Sequence, residues 1–168
     1  MPKHPEGGGA ERLRNSKSMG EVLETALSFE ETARNFYTDL AGRVSKPLRS
    51  LVEELAEEEA QHYNLFKGLM ERDDVRSHIE DRVATPPSDH RFSDYVHLPD
   101  LGDAPDDQAV LQYAMGREHA AMEQYGALAE EAPEGPIRDL FSYLSAEELE
   151  HKKELEKRYY ELVYASNV

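Results

Sequence analysis

The sequence predicts an all-α protein, a single bundle of four amphipathic helices. Three observations carry that reading. Apolar residues return at steps of three and four through four long segments, no segment alternates with the period of two that a strand requires, and turn-forming stretches separate each segment from the next. A chain of 168 residues is long enough to enclose one continuous core.

Residues 1–18 are rich in Pro, Gly and polar side chains, without periodicity, and read as a flexible tail. The bundle is expected over 19–168. From Met19 the first helix carries Leu23, Ala26, Leu27, Ala33, Tyr37 and Leu40 on one face and stops near Ala41-Gly42. Pro47 suits the first turn of the second helix, whose apolar stripe runs through Leu48, Leu51, Val52, Leu55, Phe66, Leu69 and Met70. The third helix shows Val110, Leu111, Ala114, Met115, Ala121, Met122, Tyr125 and Leu128. The fourth opens after Pro133-Glu134-Gly135-Pro136 and shows Ile137, Leu140, Phe141, Leu144, Leu155, Tyr159 and Leu162. The helices form two hairpins, 19–72 and 107–164, joined by a crossover over 73–106. A hairpin turn needs only a few residues, whereas 34 residues can run the length of the bundle, so the expected topology is up-down-down-up. Phe92, Tyr95, Val96, Leu98 and Leu101 would pack the crossover onto the helices. The same segment, used as a hinge, would let paired chains exchange hairpins in a homodimer or larger homo-oligomer.

Composition narrows the function. The formal net charge of −16 repels phosphate backbones and excludes nucleic acid as a partner. The chain has no cysteine, which removes thiol nucleophiles, iron–sulfur clusters and Cys-type zinc sites, so any metal must be held by Glu, Asp and His. No apolar run of membrane-spanning length occurs and the opening residues lack the apolar stretch of a secretory signal, which predicts a cytoplasmic protein with no membrane partner.

The two hairpins repeat one another. Ala26-Leu-Ser-Phe-Glu30-Glu-Thr-Ala33-Arg-Asn-Phe-Tyr37-Thr-Asp-Leu40-Ala41 aligns at an offset of 88 with Ala114-Met-Gly-Arg-Glu118-His-Ala-Ala121-Met-Glu-Gln-Tyr125-Gly-Ala-Leu128-Ala129. At an offset of 89, Pro47, Leu51, Leu55, Glu58-Glu59 and His62 align with Pro136, Leu140, Leu144, Glu147-Glu148 and His151. The matched acids interrupt apolar stripes. Glu30 lies between Leu27 and Ala33, Glu118 between Met115 and Ala121, and each Glu-x-x-His pair, Glu59/His62 and Glu148/His151, breaks the stripe of its helix.

Four carboxylates aimed into a core do not persist without compensating cations. Two divalent metal ions supply four positive charges, and two neutral imidazoles complete the shell. One Glu-x-x-His alone is a weak signal; two in register with two core-facing Glu residues are not. A Glu from each of two helices with Glu-x-x-His from the other two is the ligand set of ferritin-like di-iron or di-manganese bundles. The mix of carboxylate and imidazole suits iron or manganese better than copper or structural zinc.

On these residues the chain resembles the rubrerythrin-like branch of the ferritin-like superfamily over 19–164. Glu30-Glu-Thr-Ala33-Arg34-Asn35 followed by Tyr37 is similar to the first rubrerythrin helix, and Glu58-Glu59-Ala-Gln-His62 to the second. The resemblance implies two Fe ions per chain, with Mn the alternative, held by Glu30, Glu59, His62, Glu118, Glu148 and His151. It further implies that Glu59 and Glu148 chelate single ions while Glu30 and Glu118 bridge. Two departures stand out: Ala121 takes the place of an extra Glu, and with no cysteine there is no rubredoxin domain. Ala60 stands where a haem-binding Met would be expected, so no haem is predicted.

Tyr37 and Tyr125 lie two turns beyond Glu30 and Glu118 on the same faces, within reach of a ligand carboxylate. Glu58 and Glu147 are placed to orient the histidine of the opposite hairpin, as acids there do in the resembling family. His90, His97 and His119 have no repeat partner and read as surface residues. The resemblance implies a non-haem di-iron oxidoreductase that reduces hydrogen peroxide or dioxygen with electrons from an external redox protein, in oxidative-stress defence. The alternatives are a ferroxidase and iron-storage protein of ferritin type, and a non-enzymatic metal-stabilised interaction or cargo protein.

Overall fold

A computed structural model describes residues 16–84, 91–95, 100–102 and 105–165. In chain order the elements are a short strand β1 (Ser16–Ser18), helix α1 (Met19–Ala41), helix α2 (Lys46–Met70), a single turn α3 (Asp73–Arg76), strand β2 (Arg82–Ala84), a 3-10 turn (Phe92–Tyr95), and helices α4 (Asp107–Glu131) and α5 (Pro136–Ala165). The four long helices start where sequence chemistry starts them. The Ser18 hydroxyl accepts from the Glu21 amide at 3.1 Å, Pro47 sits in the first turn of α2, and the Asp106 carboxylate accepts from the Ala109 amide at 2.7 Å. Each cap satisfies an amide that the helix itself leaves without a partner.

Two clusters of buried side chains fix the topology. One joins the start of α1 (Met19, Leu23, Phe29) to the ends of α2 (Phe66, Leu69) and α4 (Tyr125, Leu128) and the start of α5 (Phe141, Leu144). The other joins the end of α1 (Phe36, Tyr37, Leu40) to the starts of α2 (Leu51, Leu55) and α4 (Val110, Leu111) and the far part of α5 (Leu155). Helices α2 and α4 therefore run parallel to each other and opposite to α1 and α5, which is the up-down-down-up arrangement. The crossover must span the bundle.

The described parts of the crossover pack onto the helices. Phe92 is buried, stacked on Phe29 at 4.1 Å and edge-on to Tyr125 at 5.7 Å. Tyr95 lies against Tyr113 at 5.2 Å and over Gly116, where a Cβ would run into its hydroxyl. Leu101 packs on the second cluster. Val96, Leu98, His90 and His97 lie outside the described residues, as do residues 1–15. One expectation is corrected: β1 pairs antiparallel with β2, Lys17 opposite Val83. Residues 16–18, assigned with the tail, thus belong to a two-stranded ribbon. Three-residue strands are too short to show alternation, and the pairing partner lies more than sixty residues away.

Candidate metal centre

Each of the four long helices delivers its acids from mid-helix to one level of the bundle, between the two apolar clusters. Glu30, Glu59, Glu118 and Glu148 are all 0% exposed, and His62 and His151 are buried beside them. The structure therefore brings together the six residues singled out in the sequence. They fall into two groups of four, Glu30, Glu59, His62 and Glu148, and Glu59, Glu118, Glu148 and His151, each with one ligand atom per residue within 4.8 Å of the others.

Glu59 and Glu148 belong to both groups, while Glu30 and Glu118 belong to one each. The expected division, with Glu30 and Glu118 bridging, differs from this grouping of side chains. The reason lies in the packing. Helices α2 and α5 approach one another between the hairpins, with the imidazoles of His62 and His151 nearly parallel at 5.8 Å, so their Glu-x-x-His pairs meet at the middle.

Both histidines turn Nδ1 toward the carboxylates. His62 Nδ1 lies 3.1 Å from Glu148 Oε1, 3.5 Å from Glu59 Oε2 and 3.6 Å from Glu30 Oε2; His151 Nδ1 lies 3.7 Å from Glu148 Oε2 and 3.8 Å from Glu118 Oε2. Glu30 Oε2, Glu118 Oε2, both Glu148 oxygens and both Nδ1 atoms make no hydrogen bond of sound geometry among the described residues. Buried polar atoms left in this way, converging from four helices, are the chemistry of a cation-binding cage. The residues fit a pair of divalent ions.

The electrostatics follow from packing four carboxylates and two imidazoles together in the core. Burial and the neighbouring Glu59 push the Glu30 carboxyl well above its usual range. Burial pushes Glu59 up too, but the Arg117 guanidinium, Glu30 and His62 together outweigh it and hold Glu59 well below. Burial opposes charge on the histidines, yet the carboxylates win: Glu148, Glu30 and Glu59 raise His62 strongly, and Glu148 and Glu58 push His151 up to about 10.

The surrounding groups cross between hairpins. The Tyr125 hydroxyl donates to Glu30 Oε1 at 2.6 Å, and the Tyr37 hydroxyl donates to Glu118 Oε1 at 3.2 Å. Each tyrosine thus serves the acid of the other hairpin, not that of its own helix. Glu58 Oε2 lies 2.5 Å from His151 Nε2, holding that ring from the opposite hairpin. Among the described residues no ion pair joins Glu147 to His62, so the repeat is not symmetric here. His119 is on the surface, paired with Glu123 at 2.9 Å.

Sequence reasoning missed one residue, Arg117, which is 1% exposed. Its Nη1 donates to Glu59 Oε1 at 3.1 Å and to Glu118 Oε1 at 3.0 Å. The signal was present in the repeat, since Arg117 stands directly before Glu118 where Phe29 stands before Glu30.

Comparison with known proteins agrees with this picture. Residues 21–97 match the Rubrerythrin family model. A hypothetical protein from Pyrococcus furiosus shares the fold with a TM-score of 0.65 and 27% identity, over 88% of this chain and 91% of that one. The bacterioferritin-related protein of Bacteroides fragilis, described as a dodecameric thioferritin, does so with a TM-score of 0.67 and 21% identity, over 96% and 97%. No curated protein matches the chain. The chain therefore has a fold shared with ferritin-like proteins, and its residues 21–97 are similar to the Rubrerythrin family.

Proposed function

We propose that the chain is a non-haem di-iron oxidoreductase of rubrerythrin type, reducing hydrogen peroxide or dioxygen with electrons from an external redox protein. The observation that carries the reading is the pair of buried four-residue groups sharing Glu59 and Glu148. In this reading Glu30, Glu59, His62 and Glu148 would hold one iron ion and Glu59, Glu118, Glu148 and His151 the other, with Glu59 and Glu148 common to both; manganese is the alternative metal. Two such ions side by side supply two one-electron centres, so both electrons needed for one O–O bond are at hand together.

The protein's own groups keep the centre ordered and dry. Tyr125 and Tyr37 fix Glu30 and Glu118 by donating from the opposite hairpin, and Glu58 holds His151 so that Nδ1 faces inward. A small cavity lined by Val22, Thr25, Phe92, Gln124 and Tyr125, roomy enough for water, lies on the Tyr125 side of the core. These 168 residues hold no cysteine for an iron–sulfur donor, and in this reading the electrons come from another redox protein. We place the protein in the cytoplasm as a homodimer or larger homo-oligomer; no helix among the described residues is long and apolar enough to cross a membrane.

Ferroxidase and storage activity is the second reading, favoured by a fold shared with a protein described as a dodecameric thioferritin. Metal analysis with anaerobic peroxide titration and a measurement of particle mass separates the two. Oxidation of the iron-loaded protein by one peroxide per iron pair supports the first. A hollow particle carrying far more than two irons per chain supports the second. A metal-loaded protein that responds to neither peroxide nor oxygen would refute both and leave a structural or cargo role.

A further inference from the structure

The repeat that builds the centre is broken at one buried position. Phe29 is 0% exposed and Arg117, its counterpart 88 residues on, is 1% exposed, so one hairpin places an aromatic ring where the other places a full charge. The two side chains meet: the guanidinium carbon lies 4.0 Å from the centre of the Phe29 ring, a cation–π contact that pins the group in place. From there Nη1 donates to Glu118 Oε1 at 3.0 Å and Glu59 Oε1 at 3.1 Å, while Nη2 reaches Glu59 Oε2 at 3.5 Å and stands 3.7 Å from Glu30 Oε2. A buried guanidinium survives only where anions outweigh its desolvation, and here three carboxylates surround it. Arginine keeps its proton at any working pH, so this charge is permanent.

We propose that Arg117 is a built-in cation of the centre, holding its carboxylates together before metal binds and making the half with Glu118 and His151 the weaker metal site. The proposal rests on the reading of the six residues as a two-metal centre. The asymmetry follows from geometry. Glu118, which belongs only to that half, accepts directly from the guanidinium, whereas Glu30, which belongs only to the other half, has it at 3.7 Å. The guanidinium withdraws Glu118 Oε1 and leaves only Oε2 for a metal, and the fixed charge repels an ion bound beside it.

The test uses Zn²⁺ as a redox-silent probe, titrated calorimetrically into metal-free wild type, Arg117→Phe and Arg117→Lys, with thermal melting of each protein before and after loading. Arg117→Phe installs the residue that the repeat already accommodates at Phe29, and Arg117→Lys keeps the charge. Wild type is expected to take two Zn²⁺ in separate steps, the weaker lost in Glu118→Gln and the tighter weakened in Glu30→Gln. In Arg117→Phe the metal-free protein is expected to melt lower and the weaker step to tighten at least about tenfold, while Arg117→Lys keeps two separate steps. If Arg117→Phe is unfolded without metal, recovery of the fold on adding Zn²⁺ is the same result in stronger form. Unchanged metal-free melting and unchanged Zn²⁺ affinities would overturn the proposal. So would equal destabilisation with and without Zn²⁺, or failure to fold even with Zn²⁺, either of which assigns Arg117 a packing role alone. A wild type that takes up no Zn²⁺, Mn²⁺ or Fe²⁺ refutes the two-metal reading and the unequal sites with it. The metal-free melting of Arg117→Phe would still show whether the guanidinium holds the carboxylates.

Discussion

Tyr125→Phe removes one oxygen and nothing else. The ring keeps its contacts with Phe29, Phe66, Phe92 and Phe141, whose centres lie 6.2, 5.8, 5.7 and 5.9 Å away, so no cavity opens. What is lost is the 2.6 Å hydrogen bond to Glu30 Oε1. Glu30 is fully buried and its other oxygen already lacks a hydrogen bond, so the acid is left without a donor. A buried acceptor stripped of its partner costs about 1–3 kcal/mol, which at about 2 kcal/mol lowers the melting temperature of a domain this size by roughly 4–8 °C. Metal-free protein should show that full shift in differential scanning calorimetry. In loaded protein the freed carboxylate wanders, and losing an outer partner of a metal ligand weakens binding about 10- to 100-fold. Because Tyr125 serves Glu30, the loss falls on the step assigned to Glu30 and His62 and spares the other, which a competition titration resolves. Melting within about 1 °C of wild type in both states would refute the argument that this hydroxyl holds the centre.

Other outcomes follow from the same geometry. Glu148→Gln removes a residue common to both groups and should abolish binding of both metal ions, whereas Glu118→Gln should leave one; equal stoichiometry by metal analysis would contradict the shared position of Glu148. His151 is raised to about 10 despite burial, through Glu148 and Glu58. A group raised above its unfolded value of about 6.5 contributes stability that is complete below that pH and lost as pH rises through the folded value. The metal-free protein should therefore lose melting temperature between about pH 7 and 10, and metal uptake at neutral pH should release protons, measurable by calorimetry in two buffers. Flat melting across that range would count against charged histidines in the empty site. Phe92→Ala, at a 3% exposed ring stacked on Phe29, should cost about 3–5 kcal/mol in urea unfolding; a loss under about 1 kcal/mol would mean that the crossover is not held there.

The helices and the buried Glu and His residues were legible because both are written in local periodicity. A buried acid on an apolar stripe is visible at Glu30 or Glu148 from its own neighbours, and the duplication doubles the signal. Contacts between hairpins were less legible. Tyr37 and Tyr125 were placed within reach of a ligand carboxylate that the sequence leaves unspecified; each bonds across to the other hairpin's acid, because the partner is set by how the hairpins face one another. Glu58 finds His151 while Glu147 does not find His62, a difference that two matching sequence segments cannot express. Strand β1 escaped notice because three residues carry no measurable period.

The sequence by itself determined four helices, their order, the repeat and the Glu and His residues that face the core, since burial free energy acts residue by residue along each helix. Only the tertiary structure decided that Glu59 and Glu148 lie in both groups of four. That depends on α2 and α5 meeting between the hairpins and carrying Glu59 and Glu148 to the middle. It alone decided the place of Arg117 as well. One residue before Glu118 in the chain, that cation belongs to the centre because Phe29 from another helix supplies the face on which its charge rests.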